Sequence, residues 1–269
     1  MFVDSSLAAR IDRVEARVSH AVASAVGAHD ATARTRVIPI GDGIAAFARQ
    51  GSPINKLIGA GFGGALDPTV LDTIEAAWRE REEPVRVELA TLASTDAVMQ
   101  LSERGYQLLG FETVLVRSLA MLPPRVQHVD VSHGRDDAAW MRVLVDGFAA
   151  GDGTGAAVDD HGRDAIEQVM RDMSWASGFG RYVAKLDDTP VGAATMRVDD
   201  GIALMGGAAT LPAWRRRGVQ GALLAARLAD ARDAGCQLAV VTTAPGSQSQ
   251  ANVMRSGFAL GYTRAILVR

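Results

Sequence analysis

Gly105-Tyr106-Gln107-Leu108-Leu109-Gly110-Phe111-Glu112-Thr113-Val114-Leu115-Val116-Arg117 returns 152 residues later as Gly257-Phe258-Ala259-Leu260-Gly261-Tyr262-Thr263-Arg264-Ala265-Ile266-Leu267-Val268-Arg269. Each copy opens on a glycine suited to the left-handed end of a helix and continues into β-branched and aromatic residues. Each therefore reads as a helix C-cap followed by two strand runs forming a hairpin. A constant offset of this kind marks an internal duplication. Carried backwards, it lays the stretch Pro68 to Arg81 over Gln220 to Asp233, and Val85 to Leu89 over Gln237 to Val241. One supersecondary pattern occurs twice.

Outward from the first copy, Leu7, Ile11, Val14, Val18 and Val22 recur at helical spacing behind Asp4, Ser5 and Ser6, which predicts a capped amphipathic helix. Short β-like runs follow at 36–40, 43–48 and 56–60. Asp67-Pro68 starts a second helix, because Asp caps and Pro suits the first helical position. A strand over 85–89 and a helix from about Ser94 to Arg104 lead into the repeat.

Met121-Leu122-Pro123-Pro124-Arg125 interrupts the pattern with a proline pair and predicts a linker. The division expected is 1–122 and 126–269. In the second unit, helices are predicted over 137–148 and 163–174, around a loop at 149–162 rich in Gly, Ala and Asp. Strands at 182–185, 190–198 and 202–210 are joined by Asp187-Asp188 and Asp199-Asp200-Gly201. The fold class expected is α/β with a mixed sheet.

The chain has 269 residues, 48% hydrophobic and 22% charged, as an ordinary globular protein does. A net charge of −3 gives no footprint for nucleic acid. No uncharged apolar run is long enough to span a membrane, and the start of the chain lacks the layout of a signal peptide. A single cysteine, Cys236, and five scattered histidines leave no disulfide and no metal-ligand spacing. A cytoplasmic protein without a metal is expected.

Thr210-Leu211-Pro212-Ala213-Trp214-Arg215-Arg216-Arg217-Gly218-Val219-Gln220-Gly221-Ala222 passes from a strand through a basic turn into a helix. A helix N-terminus carries unpaired N–H groups and partial positive charge, so it can hold a pyrophosphate. Gly218 and Gly221 would let phosphates approach the backbone, and the three arginines add charge. Gly206-Gly207 in the preceding strand predicts a bulge or a close approach. The alternative is a solvated basic loop ahead of an ordinary helix.

Arg215 to Ala222 resembles the acyl-CoA motif of the GNAT superfamily, whose usual form is Gln or Arg, two residues, Gly, one residue, then Gly or Ala. Arg215 and Gly218 match, whereas Gln220 stands where that form has a small residue. The resemblance runs from about Gln127 to Arg269 and implies two tandem GNAT-like acyl-CoA N-acyltransferase domains, of which only the second binds acetyl-CoA. It implies cofactor contacts from the backbone of Ala208, Ala209 and Thr210, from Arg215, Arg216, Arg217, Gly218, Val219, Gln220, Gly221 and Ala222, and from Ser249 and Asn252. Val253 stands four residues before Gly257, where the family often has a tyrosine acid. In the first copy the same offset lays Gly63-Gly64-Ala65-Leu66-Asp67-Pro68 over Arg215 to Gln220, so the cations are replaced and an acid sits in the turn. A single cofactor site per chain is expected.

The reaction implied is transfer of an acetyl group to an amine of a small acceptor by direct attack, with no base identified. Asp146, Asp152, Asp159, Asp160 and His161 border the expected acceptor pocket and form the pool for one. Tyr262 and Cys236 read as packing residues. Two further readings stay open: an acceptor like that of mycothiol synthase, and an acyl-CoA-binding module without chemistry.

Overall fold

The computed structural model describes residues 1–124, 128–134, 137–151 and 162–269. Its first half contains α1 (Ser5–His29), β1 (Arg36–Ile40), β2 (Gly43–Phe47), β3 (Lys56–Ile58), α2 (Pro68–Arg79), β4 (Arg86–Ala90), α3 (Thr95–Glu103) and β5 (Gln107–Ser118). Its second half contains β6 (Asp130–His133), α4 (Asp137–Ala149), α5 (Arg163–Trp175), β7 (Phe179–Leu186), β8 (Thr189–Asp199), β9 (Ile202–Leu204) and β10 (Ala208–Thr210). It closes with α6 (Val219–Asp233), β11 (Leu238–Thr243), α7 (Gln248–Arg255) and β12 (Ala259–Val268).

Side-chain caps set the helix starts, two of them, Asp4 and Asp67, as expected from sequence. Asp4 accepts from Leu7 N–H ahead of α1, Asp67 from Thr69 and Val70 ahead of α2, and Ser94 from Asp96 ahead of α3. Gly105 and Gly257 both take φ of 85°, the left-handed conformation that ends a helix without a Cβ clash. Where a hairpin was expected after each, the structure has one long strand, β5 of 12 residues and β12 of 10.

These two strands explain the architecture. All strands belong to one mixed sheet in the order β1-β2-β3-β4-β12-β5-β11-β9-β8-β7-β6, with β10 pairing β8 off this path. The last strand of each half is thus exchanged: β12 lies between β4 and β5, and β5 between β12 and β11. Among the described residues, only β3/β4 and β9/β11 are parallel pairs. Val114, Leu115 and Val116 are all buried because the centre of the sheet is covered on both faces.

On one face, Ile11 and Val14 of α1 cluster with Val114, Val116, Ile202, Leu238 and Val240. On the other, Leu223, Leu224 and Leu228 of α6 and Val253 of α7 cluster with Leu115, Ala239 and Val241. Helices α2 and α3 cover the first-half strands, and α4 and α5 pack on β7 and β8. The single helix α1 therefore spans strands of both halves. Beneath it lies a buried ionic cluster: Arg264 pairs with Asp12, Glu15 and Glu112, and Lys56 with Glu15 and Glu88.

Candidate functional site

The strand ahead of the basic turn splits away from its neighbour. Leu204 still pairs with Val240 of β11, and Met205 N–H donates to Val240 O at 2.8 Å. Beyond that link the chain pairs only with β8, through Ala208, Ala209 and Thr210 opposite Ala194, Ala193 and Gly192. Leu211 N–H donates to Val191 O at 2.9 Å, so Ala209 and Leu211 turn their amides toward β8. Alternation along an extended strand then turns the amides of Ala208 and Thr210 toward β11, where, among the described residues, no strand lies against them. The result is a cleft edged by main-chain donors and acceptors.

The split is sharp because a residue is inserted. Across β8, Arg197 faces Leu204 but Ala194 faces Ala208, a register shift of one residue centred on Gly206 and Gly207. Thr195 N–H is shared between Gly206 O (3.2 Å) and Gly207 O (3.1 Å). The glycine is required there: a Cβ on Gly206 would sit 2.9 Å from Thr195 Oγ1.

The cradle follows directly. Arg216 and Gly218 take positive φ of 64° and 78°, and Gly218 caps α6 with no side-chain bond to its N-terminus. Among the described residues, Ala222 N–H is the first to bond back, to Gly218 O at 2.9 Å, which leaves the amides of Val219, Gln220 and Gly221 without a main-chain partner. Gly221 is exposed, and a Cβ on it would meet nothing within 4 Å. Helix α6 sits tight on the sheet, since a Cβ on Gly192 would come within 2.4 Å of Val219 Cγ1.

The three arginines differ in their surroundings. Arg215 reaches back, with Nη2 donating to Gly151 O (2.8 Å) and Nε to Thr210 O (3.4 Å), and so ties the end of β10 to the chain after α4. Arg217 stacks over Trp214 at 4.9 Å, and its carbonyl accepts from His128 Nε2. Arg216 and Arg217 are exposed beside the cradle. Asn252 Nδ2 donates to Gln220 Oε1 at 2.7 Å, which joins α7 to the first turn of α6. Ser249 is half-buried one turn earlier on α7.

Val253 is buried in the core beneath α6. Asp146 is paired with Arg163 at 2.6 Å, while Asp152, Asp159, Asp160 and His161 lie outside the described residues. Tyr262 is buried under α1 and donates to Asp12, away from the cleft. Cys236 is buried, and burial pushes its thiol up. Among the described residues, no helix is long and apolar enough to cross a membrane.

The corresponding place in the first half has a different geometry. β3 keeps its parallel pairing with β4, Leu57 opposite Val87 and Ile58 opposite Glu88. Asp67 Oδ1 accepts from Thr69 N–H (2.8 Å), Thr69 Oγ1 (2.6 Å) and Val70 N–H (3.4 Å), and these bonds hold its carboxyl below the usual range. A carboxylate of the chain itself takes the first donors of α2.

Sequence reading missed Arg227. It is 3% exposed on α6 and donates to the carbonyls of Leu223, Thr195 and Gly206. Its signal was a charge four residues after Leu223, on the apolar stripe of the helix.

Residues 154–258 match the Acetyltransferase (GNAT) family. Among solved structures, a GCN5-related N-acetyltransferase from Kribbella flavida is similar over 94% of both chains, with 19% identity and a TM-score of 0.61. A tandem GNAT protein from the clavulanic acid biosynthesis pathway is similar over 85% of this chain and 73% of its own, with 12% identity and a TM-score of 0.56. A GCN5-related N-acetyltransferase from Sphaerobacter thermophilus covers 75% of this chain and 66% of its own at 15% identity and a TM-score of 0.54. No curated protein sequence matches the chain. The split strand and its cradle therefore lie within the stretch that matches the Acetyltransferase (GNAT) family, in a chain whose fold is similar to that of GCN5-related N-acetyltransferases.

Proposed function

We propose that the second half binds acetyl-CoA and transfers its acetyl group to an amine of a small acceptor by direct attack. The observation that carries this reading is the continuity of the cleft with the cradle. A linear ligand can run its amides along Ala208 to Thr210 and end its diphosphate on the free amides of Val219 to Gly221. The guanidiniums of Arg216 and Arg217 stand beside that end and suit phosphate charge. Positioning of thioester and amine supplies much of the catalysis in such a site, and main-chain donors polarise the carbonyl. In the first half, Asp67 opposes a second diphosphate, so one cofactor is bound per chain.

A second reading is an acyl-CoA-binding module without transfer. It is favoured by buried Val253, which offers no acid for a leaving thiolate.

Calorimetry with acetyl-CoA on wild type and Gly221→Glu tests the cofactor site. The substituted position has room, and a carboxylate in the first turn favours the helix, so the variant folds. Binding to wild type at one site per chain, lost in the variant, is expected. Equal binding to both, or none to wild type, overturns the cradle. Binding without turnover of any amine in a broad screen favours the second reading.

A further inference from the structure

We infer that Arg227 is a positioning residue for the cofactor cleft, clamping the one-residue bulge that turns β10 away from β11; this rests on the acetyl-CoA reading above. The bulge brings two carbonyls, Thr195 O from β8 and Gly206 O from the inserted segment, to the same side. Arg227 Nη1 donates to both, at 2.9 and 3.2 Å, while Nε donates to Leu223 O of its own helix at 3.2 Å. The N–H of the same residue, Thr195, is held by Gly206 O and Gly207 O. Thr195 and Gly206 are thus bonded both to each other and to one shared guanidinium.

The position of this charge is unusual. Arg227 lies in the apolar interface of α6, among side chains that include Leu223, Leu224 and Leu228, and among the described residues burial and Tyr182, with no carboxylate, set its electrostatics. Burial lowers its pKa to about 10, so it remains charged at neutral pH. A buried charge with only carbonyl partners persists where those carbonyls need several donors from one direction. Guanidinium provides them in a fixed planar fork that also reaches Leu223 O; an ammonium has donors without that plane, and an apolar side chain has none.

The clamp also connects the two ends of the ligand site. Helix α6 begins at the cradle with Val219 and carries Arg227 two turns later, so one rigid element sets both the diphosphate end and the point where the strand splits. Without the clamp, Thr195 O loses its donor and Gly206 O keeps only Thr195 N–H, and re-pairing of the strand with β11 narrows the cleft. The unoccupied protein then starts from a closed cleft, and affinity falls by the population of the open form.

The test uses the full chain, three variants of the clamp and one control variant. Arg227→Met removes the donors, Arg227→Lys keeps charge with a single head, and Gly206→Ala disturbs the bulge from the strand side. Leu228→Ala, a core truncation on the same helix that removes no hydrogen-bond donor from the bulge, controls for lost stability. Affinity for CoA by calorimetry, KM for acetyl-CoA, and amide exchange at Thr195 are measured well below each melting temperature. Arg227→Met and Gly206→Ala are expected to weaken CoA at least tenfold and to speed exchange at Thr195, with Arg227→Lys between them and wild type. Leu228→Ala is expected to bind within twofold of wild type despite its lower melting temperature. CoA binding within twofold of wild type in Arg227→Lys and Gly206→Ala overturns the inference alone, even if Arg227→Met does not fold. So does an equal loss in Leu228→Ala. Absence of acetyl-CoA binding by wild type overturns the cofactor reading, and the inference with it.

Discussion

Glu112 and Arg264 hold equivalent places in the two copies of the repeat, 152 residues apart, and they face each other across β5 and β12 with Arg264 Nη1 donating to Glu112 Oε2 at 3.0 Å. The local two-fold relation between the halves passes through this pair. A residue on such an axis meets its own counterpart, so identical side chains there would place like charges in contact. Divergence to Glu and Arg turns that repulsion into an ion pair. The guanidinium, fully buried, also meets Asp12 at 2.6 Å and Glu15 at 2.7 Å, which fixes α1 over the junction.

Replacing Arg264 with Met takes its cation from buried Asp12 and from half-buried Glu15 and Glu112, of which Glu15 keeps Lys56. Loss of one partner of a buried pair costs about 3–5 kcal/mol. Urea unfolding of the full chain should show a stability loss of that size, and a loss under about 1 kcal/mol would mean that the cluster is solvated rather than buried.

The same cluster makes stability depend on pH. Burial, with Glu88 and Glu15 nearby, raises Glu112 to about 7, and burial also raises Asp12; Arg264 and Lys56 lower Glu15 to about 2. A carboxyl raised in the folded state favours folding less as pH climbs, because the unfolded chain ionises first. A lowered one contributes above its ordinary value and loses that contribution in acid. Melting temperature should therefore rise as pH falls from about 8 to about 5, then drop below about 4. Glu112→Gln should flatten the upper part of this profile and leave the acid limb in place. An unchanged profile between about pH 5 and 8 in that variant would assign the dependence to other groups.

Strand exchange bears on the proposed units 1–122 and 126–269. Both neighbours of β12 belong to the first half, and β11 has β5 along one edge. Expressed alone, 126–269 leaves β12 unpaired and exposes Val240 and Ile266, so it should be insoluble or associate through its free edges. Co-expression with 1–122 should restore a soluble complex, read by size-exclusion chromatography with light scattering. A monomeric, folded 126–269 that binds acetyl-CoA would show that the exchanged strands are dispensable.

Much of the site was legible because its determinants are local. Asp4, Asp67 and Ser94 cap the helices beside them, Gly105 and Gly257 end helices, and Gly218 and Gly221 sit at the start of α6 where an anion would bind. Gly206-Gly207 announced the bulge for the same reason: a Cβ is excluded by its immediate surroundings. The hairpins expected after Gly105 and Gly257 were wrong because the propensity of Gln107 to Arg117 sets an extended conformation but not where extension stops.

By itself, the sequence determined that one α/β pattern occurs twice and that only the second copy has a basic glycine turn ahead of its helix. Tertiary structure alone decided that the copies exchange their last strands, that Glu112 meets Arg264, and that Arg227 reaches the carbonyls of a bulge more than 20 residues away in the chain. Periodicity and capping depend on atoms a few residues apart and are written in order along the chain. Strand neighbours and buried ion partners depend on which distant segments exclude water together, and an apolar run buried on both faces satisfies that condition beside any suitable partner.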